Sequence, residues 1–407
     1  MKIIIVSQTY SNGNGQASFT IQLAESLAQR GNQVMVITPS NQLRPVSCIQ
    51  NGVRVEVIPA LHASLIHPYI YVTPFPAFQI RKLMREFQPD VVHIQDHYLL
   101  CNSAVNEARK MNIPVIGTNH FLPENLLPFL IKFPNLQYLL SFPLWKMMLA
   151  VFNKLDLATT PTETAARILR KQQIHVPVRA ISNGVDTERF HPDPQADCFG
   201  VRRKYHLALE LPLFLYIGRL DGEKRLDTVL EAVALLPERN FQLAIGGKGP
   251  YEQMLRKHAQ ALGLEGRVVF IGFVQPDDLP ALYNSADIFI MPSPEELQSI
   301  ATLEAMACGK PILAVDARAL PELVTPGVNG YLFERNNPEA AAQGMDRLLR
   351  EREKWDAMGQ ASFKYAQEHS LRNTISHFED SYRHSTEKVH MDRRIPSMTR
   401  RILNKFI

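Results

Sequence analysis

Short runs of branched apolar residues alternate along the first half of the chain with stretches whose apolar positions recur every three or four residues. IIIV opens the series, a helical pattern from about Ala17 to Arg30 follows, and after Gly31 come VMVIT, VEVI, DVVHI and PVIGT. Runs that are apolar at nearly every position predict strands buried on both faces, hence a parallel sheet covered by helices on either side. The pattern restarts near Leu213 with LFLYIG, a helix over 224–236, QLAIGG, a helix over 250–262 and RVVFIG. A short helix near 279–284, DIFIMP, a helix over 300–308 and PILAV complete it. The expected fold class is therefore α/β, with two doubly wound domains in tandem. Between them, PVRAISNGVDTERFHPDPQADCFG is rich in Pro, Asp, Asn and Gly and shows neither period. The expected organisation is a first domain over 1–182, a second over 183–362, helices over 363–384 crossing back to the first, and a tail over 385–407. Ligands of such sheets bind beyond the carboxyl ends of the strands, so two facing sheets predict a cleft with one substrate supplied from each side.

At 407 residues the chain exceeds the roughly 250–300 residues at which single cores stop growing, which agrees with two domains. Its 45% hydrophobic and 21% charged residues are those of a globular protein rather than a disordered one. The net charge of +4 is uneven: +7 over residues 1–180, −8 over 181–382 and +5 over 383–407. Basic ends around an acidic middle fit an anionic membrane surface at least as well as nucleic acid, although solvated charge alone gives the same count. The partner expected here is a membrane, not nucleic acid.

Cys48, Cys101, Cys198 and Cys308 stand far apart with no CxxC, which indicates neither a zinc site nor a disulfide framework and suits a reducing cytoplasm. The apolar run at the N-terminus, Ile3 to Val6, is too short for a signal peptide. The most apolar region, Leu126 to Phe152, is broken by Pro128, Pro134 and Pro143 and carries Lys132 and Lys146, so it fails as an uninterrupted spanning helix and, where the protein meets a membrane, is expected to lie on it.

The candidate chemistry falls after strands. Gly13 and Gly15 stand just before a helix, a place suited to an anion, but the loop is not GxGxxG and no acidic residue follows at the spacing of a ribose clamp, which disfavours a dinucleotide dehydrogenase. LYIGRLDGEKRLD sets Gly218, Arg219 and Lys224 at a strand end, where two cations can neutralise a departing diphosphate; two solvated surface cations are the plain alternative. PSPEELQSIATLEAMACGKP carries Glu296 in a loop and Glu304 on the following helix, carboxylates suited to paired sugar hydroxyls. Glu304 stands among Leu303, Ala305, Met306 and Ala307, company that solvated glutamates rarely keep, whereas Glu295 reads as solvated.

With ISNGVDTERFHP, GRLDGEKRLD, AIGGKGP, VVFIGFV, PSPEELQSIATLEAMACGKP and PELVTPGVNGYLF in order, the chain resembles the family-4 retaining glycosyltransferases over roughly residues 1–380. The resemblance implies two Rossmann-like domains facing across a cleft, the GT-B arrangement, and a nucleotide sugar as co-substrate. It implies that Arg219 and Lys224 hold the donor diphosphate, Glu304 the nucleotide ribose and Glu296 the donor hexose, with Gly247 and Gly249 beside the base. The implied donor site is completed by Gly15, Gly218, Ser299 and Ile300. His120, at the end of PVIGTNH, matches a histidine over the donor sugar; a satisfied core histidine is the plain alternative. The implied catalytic set is thus His120, Arg219, Lys224 and Glu296. No metal or other cofactor is expected, because cations and helix ends do the work of a magnesium ion, and the chain has no Asp-x-Asp pair. Ser299 stands where the family usually has glycine, and it either narrows the approach of a diphosphate or offers it a hydroxyl. Leu297 and the Gly13-Asn14-Gly15 loop are smaller departures.

TNHFLPENLLPFL is similar to a segment of the membrane-associated diacylglycerol glycosyltransferases of that family, which makes His120, Phe121, Glu124 and Asn125 acceptor candidates. In the following FLIKFPNLQYLLSFPLWKMMLAVF, the spaced Lys132 and Lys146 among aromatics and leucines suit a segment lying partly in a membrane interface, with a buried helix pair equally good for its second half. LHASLIHPYIYVTPFPAF is a second greasy stretch, and Met398, Ile402 and Phe406 beside Arg400, Arg401 and Lys405 suit a short basic amphipathic helix, a frayed end being the equal alternative. The expected activity is transfer of a hexose, glucose from UDP-glucose foremost, to a lipid such as diacylglycerol, by an enzyme peripheral on the inner face of the cell membrane. The alternatives are a glycan, polyprenyl-linked or phosphoinositide acceptor with GDP-mannose, and a nucleotide-sugar-binding protein without transfer activity.

Overall fold

The structure, a computed structural model, describes residues 1–10, 15–42, 44–62, 71–120, 122 and 134–394. The chain forms two units, one of Met1–Ile181 with Ile375–Ile407 and one of Ser182–Thr374.

The first unit is built on strands β1 (Lys2–Val6), β2 (Gln33–Ser40), β3 (Val46–Gln50), β4 (Val53–Pro59), β7 (Val91–Ile94), β8 (Val115–Thr118), β9 (Leu157–Thr160) and β10 (Val178–Ala180), with a separate pair β5 (Leu61–His62) and β6 (Tyr71–Val72). The sheet runs β10-β9-β8-β7-β1-β2-β4-β3 among the described residues. It is parallel throughout except that β3 returns antiparallel on β4. Ile3, Ile4, Ile5 and Val6 are fully buried, with Ile3 opposite Val34 on one side and Val91 on the other. That double burial is why the run is apolar at every position.

The helix Leu371–Arg394 supplies the later part of the first unit. Its Phe378 and Tyr382 are fully buried, and Glu379 accepts from Arg30 at 3.0 Å and Asn32 at 2.9 Å. Return to the first unit is thus made by one helix from Ile375 on, whereas Trp355–Glu368 stays with the second. Helix Pro134–Phe152 buries Trp145, Met148, Val151 and Phe152 and leaves Phe142, Lys146 and Met147 exposed. No helix among the described residues is long and apolar enough to cross a membrane.

The second unit carries β11 (Leu213–Ile217), β12 (Gln242–Gly246), β13 (Val268–Gly272), β14 (Ile288–Met291), β15 (Ile312–Val315) and β16 (Gly330–Phe333). Their order is β13-β12-β11-β14-β15-β16, all parallel. Phe214, Leu215, Phe289 and Ile290 fill the core from the two central strands. Order reverses at β11, whose neighbours are β12 on one side and β14 on the other, the place where open α/β sheets bind ligands.

Candidate active site

The carboxyl ends of β12, β11 and β14 stand side by side, and the predicted residues of the second unit lie in the loops that follow them. The first two loops are zipped together by Gly218 N–H donating to the Gly246 carbonyl at 3.0 Å and Leu220 N–H to that of Lys248 at 3.0 Å. This contact leaves no space for side chains. A Cβ on Gly247 would sit 1.8 Å from the Gly218 carbonyl oxygen, and Gly247 has φ +137, while a Cβ on Gly249 would sit 2.1 Å from the Leu220 oxygen. Gly247→Ala should therefore cost about 2–3 kcal/mol and lower the thermal midpoint of the second unit by roughly 5–10 °C, read by calorimetry.

Lys224 closes a 3-10 turn, Gly222–Lys224, ahead of helix Leu226–Leu235, rather than riding in the helix as the pattern predicted. Arg225, at φ 50, makes the break between them. Lys224 Nζ reaches Glu296 Oε1 at 2.7 Å and Glu223 at 3.3 Å, so it ties the loop after β11 to the loop after β14. Arg219 pairs with Asp221 at 2.5 Å and Glu223 at 3.0 Å. Two cations thus face three carboxylates. Burial presses the Lys224 ammonium toward neutrality, but Glu296 and Glu223 outweigh it and its pKa is raised. Burial lifts the Asp221 carboxyl despite Arg219.

The loop after β14 is fixed from outside itself. Gln298 Oε1 accepts from Asn183 N–H at 2.7 Å, and its amide donates to Ser182 Oγ at 3.0 Å. Ser299 is the N-cap of helix Ile300–Ala307: its hydroxyl oxygen accepts from the Thr302 amide at 3.2 Å and the Thr302 hydroxyl at 2.8 Å. At φ −89 its backbone does not require glycine, and with its oxygen accepting twice the serine keeps its own proton to donate. Ile300 opens the helix. Glu295 is not merely solvated; it binds Arg318 at 3.2 Å and Arg335 at 2.8 Å, which separates it from its neighbour Glu296. On the helix, Glu304 Oε2 accepts from the fully buried Tyr283 hydroxyl at 2.7 Å. Burial lifts its carboxyl to about 7, with Tyr283 and then Arg189 opposing.

In the first unit, His120 follows β8 and its Nε2 lies 2.8 Å from Gln95 Oε1. Burial holds its imidazole down at about 3. Gly15 is the first residue of helix Gly15–Gln29 and is exposed. Lys146 is exposed, its ammonium 4.8 Å from the centre of the Phe142 ring. Gly13, Phe121, Glu124, Asn125 and Lys132, with the amphipathic helix expected after Pro396, lie outside the described residues. Sequence reading passed over Tyr283, Gln298 and Gln95, which the structure bonds to named site residues. A glutamine and a histidine in and just after the apolar run DVVHIQ were the one available signal.

Two family models match the chain, one described as glycosyl transferases group 1 over residues 201–365 and one as glycosyltransferase family 4 over 13–189. The sulfoquinovosyl transferase SQD2 of Arabidopsis thaliana is 26% identical over 75% of this chain, a stretch that spans 59% of the plant protein. The alpha-monoglucosyldiacylglycerol synthase of Streptococcus pneumoniae is 27% identical over 84% of this chain and 77% of its own length. A GDP-mannose-dependent alpha-(1-6)-phosphatidylinositol monomannoside mannosyltransferase of Mycobacterium tuberculosis is 36% identical over 44% of this chain and 48% of its own. Among solved structures, sucrose-phosphate synthase from Thermosynechococcus elongatus superposes with a TM-score of 0.76 at 19% identity over 94% of this chain and 99% of that one. The Anabaena protein HepE in complex with UDP gives 0.75 at 19% identity over the same shares.

Proposed function

We propose, since this chain belongs to the family-4 glycosyltransferases of the GT-B class, that it is a retaining hexosyltransferase whose acceptor is a membrane lipid. UDP-glucose and diacylglycerol are the leading pair. The observation that carries the reading is the Lys224–Glu296 pair, flanked by Arg219 and gathered with Gly218, Gly247 and Gly249 at the turning point of the second sheet. A diphosphate arriving there would draw Arg219 away from Glu223 and share Lys224 with Glu296. As the bond from the hexose C1 to the diphosphate oxygen breaks, the negative charge on the leaving group falls to those cations and to the amide end of helix Ile300–Ala307. The acceptor hydroxyl attacks C1 on the face being vacated, and its proton passes to a diphosphate oxygen, giving the glycolipid and the nucleoside diphosphate. This route takes no metal ion. Glu296 would accept hexose hydroxyls, Glu304 those of the ribose, and His120 would contribute to transfer from the first unit.

The lipid acceptor is supported by the name of the Streptococcus pneumoniae relative and by exposed Phe142 and Met147 beside Lys146 on one helix. With a basic first stretch this favours an enzyme peripheral on the inner membrane face. The Mycobacterium tuberculosis relative, by its name, supports a second reading in which GDP-mannose is the donor and a phosphoinositide the acceptor.

The deciding experiment offers UDP-glucose, UDP-galactose and GDP-mannose to the enzyme with vesicles of diacylglycerol and phosphatidylglycerol, then vesicles with phosphatidylinositol, and separates the products. Glucosyl-diacylglycerol is expected. A product with no lipid acceptor under any donor would overturn the lipid reading. Binding to the same vesicles should weaken with added salt, because the Debye length shrinks from about 10 Å at 0.1 M to about 3 Å at 1 M; flotation assays measure it.

A further inference from the structure

Behind His120 lies a closed polar chain that the donor site does not use. His93 sits in β7 with no exposed surface, and both its ring nitrogens are engaged: Nδ1 lies 2.8 Å from the Tyr382 hydroxyl and Nε2 2.7 Å from the Thr118 hydroxyl. Thr118 in turn lies 2.6 Å from the Thr159 hydroxyl. Gln95 is 1% exposed and its backbone carbonyl accepts from Gln16 at 3.0 Å, so it is held on both sides.

The Gln95 amide nitrogen is 3.4 and 3.3 Å from the two ring nitrogens of His93, which places it over the imidazole face. An N–H is attracted to that face and a carbonyl oxygen is not. The orientation with Oε1 toward His120 is therefore the favourable one. A carboxamide oxygen only accepts, so His120 Nε2 must carry the proton of this contact. A neutral imidazole has a single N–H, and Nδ1 is left with its lone pair and no partner among the described residues. Phe19 packs its ring 4.9 Å from that of His120 and fixes the plane, while the residue stays partly exposed.

We propose that Gln95 is a positioning residue that locks His120 in its Nε2–H form, so that Nδ1 accepts a hydrogen bond from a substrate hydroxyl during transfer. This rests on the hexosyltransferase reading above. Among the described residues the titratable group facing His120 is His93, itself kept neutral by burial first and by His120 second. Tyr382 reaches it only through His93, and Asp96 is engaged by the amides of Gln8 and Tyr98.

The test pairs Gln95→Glu with Gln95→Leu. A carboxylate at 95 would stabilise the imidazolium and put a proton on Nδ1, turning the acceptor into a donor. Gln95→Glu should therefore show a kcat that is low in acid and recovers as pH rises, a limb absent from the unaltered enzyme. Gln95→Leu frees the tautomer and should lower kcat about tenfold at every pH, the worth of one hydrogen bond, with KM for the nucleotide sugar unchanged. Nitrogen-15 spectra of histidine-labelled enzyme read the tautomer without turnover. An Nδ1–H form in the unaltered enzyme, or a Gln95→Glu profile matching it, would overturn the proposal. An Nε2–H form lost in Gln95→Leu supports it, and failure to form glycolipid in the same preparation would count against the assigned reaction alone.

Discussion

Lys224→Ala should lower kcat for hexose transfer by about 10²–10³-fold, while the protein still unfolds cooperatively. The ammonium is only 18% exposed and bridges two loops through Glu296 and Glu223, so no nearby cation can take its place. Arg219 is already held by Asp221 and Glu223. Without Lys224, three carboxylates would face one guanidinium, and a diphosphate gaining negative charge would meet repulsion where it now meets a cation. KM for the donor should rise as well, but the larger loss belongs to kcat because the charge to be neutralised grows toward the transition state. Glu296→Gln in the same chain tests this account. Removing one carboxylate should restore part of the donor affinity and little of kcat, so the two substitutions should not add. Initial rates and calorimetric binding of UDP separate the two effects. An unchanged kcat in Lys224→Ala would remove this cluster from the reaction.

Much of the second unit could be read from its residues because its strands are buried on both faces and announce themselves as apolar runs. Of the elements that escaped, β16 reads GYLF, apolar but only four residues long after the turn-rich TPGVN, while the others lack that signature. In β3, VSCIQ is exposed at four of five positions, since it lies at the sheet edge with one neighbour. β9 reads LATT, where threonines are buried and bonded sideways rather than apolar, and β10 is three residues long. At the site, the strand ends were legible but the partners were not. Glu295 and Glu296 look alike in sequence and are told apart by Arg318 and Arg335, cations 23 and 40 residues further on. Ser299, where glycine was expected, left open whether it obstructs a diphosphate or offers it a hydroxyl; its N-cap role, accepting from Thr302, was not read, although a helix needs such an acceptor and serine supplies one. His93 bonds Tyr382 of the return helix, 289 residues away, and Gln95 bonds His120 just after β8, 25 residues away, pairings that no local pattern encodes.

Donor affinity should fall as pH drops below about 7, and Glu304→Gln should abolish that dependence. Burial raises this carboxyl from its ordinary 4.5 to about 7, so the free enzyme holds a proton there in mild acid. A pair of ribose hydroxyls donates best to a carboxylate, and Tyr283 occupies only Oε2. Binding must then expel the proton, which weakens the apparent affinity about tenfold for each pH unit below the pKa. The sign for stability is opposite. Between 4.5 and about 7 the folded chain binds a proton that the unfolded chain releases, so the second unit loses stability as pH rises through that window, and bound donor restores it. Tyr283→Phe removes a bond that favours the carboxylate; its binding curve should therefore shift to higher pH while keeping its slope. Glu304→Ala should weaken UDP binding about 10²-fold above pH 7, the loss of charge-assisted hydrogen bonds. Calorimetric titrations of UDP across the neutral range decide the matter. A flat profile in the unaltered enzyme would mean that Glu304 does not meet the ribose, whatever its pKa.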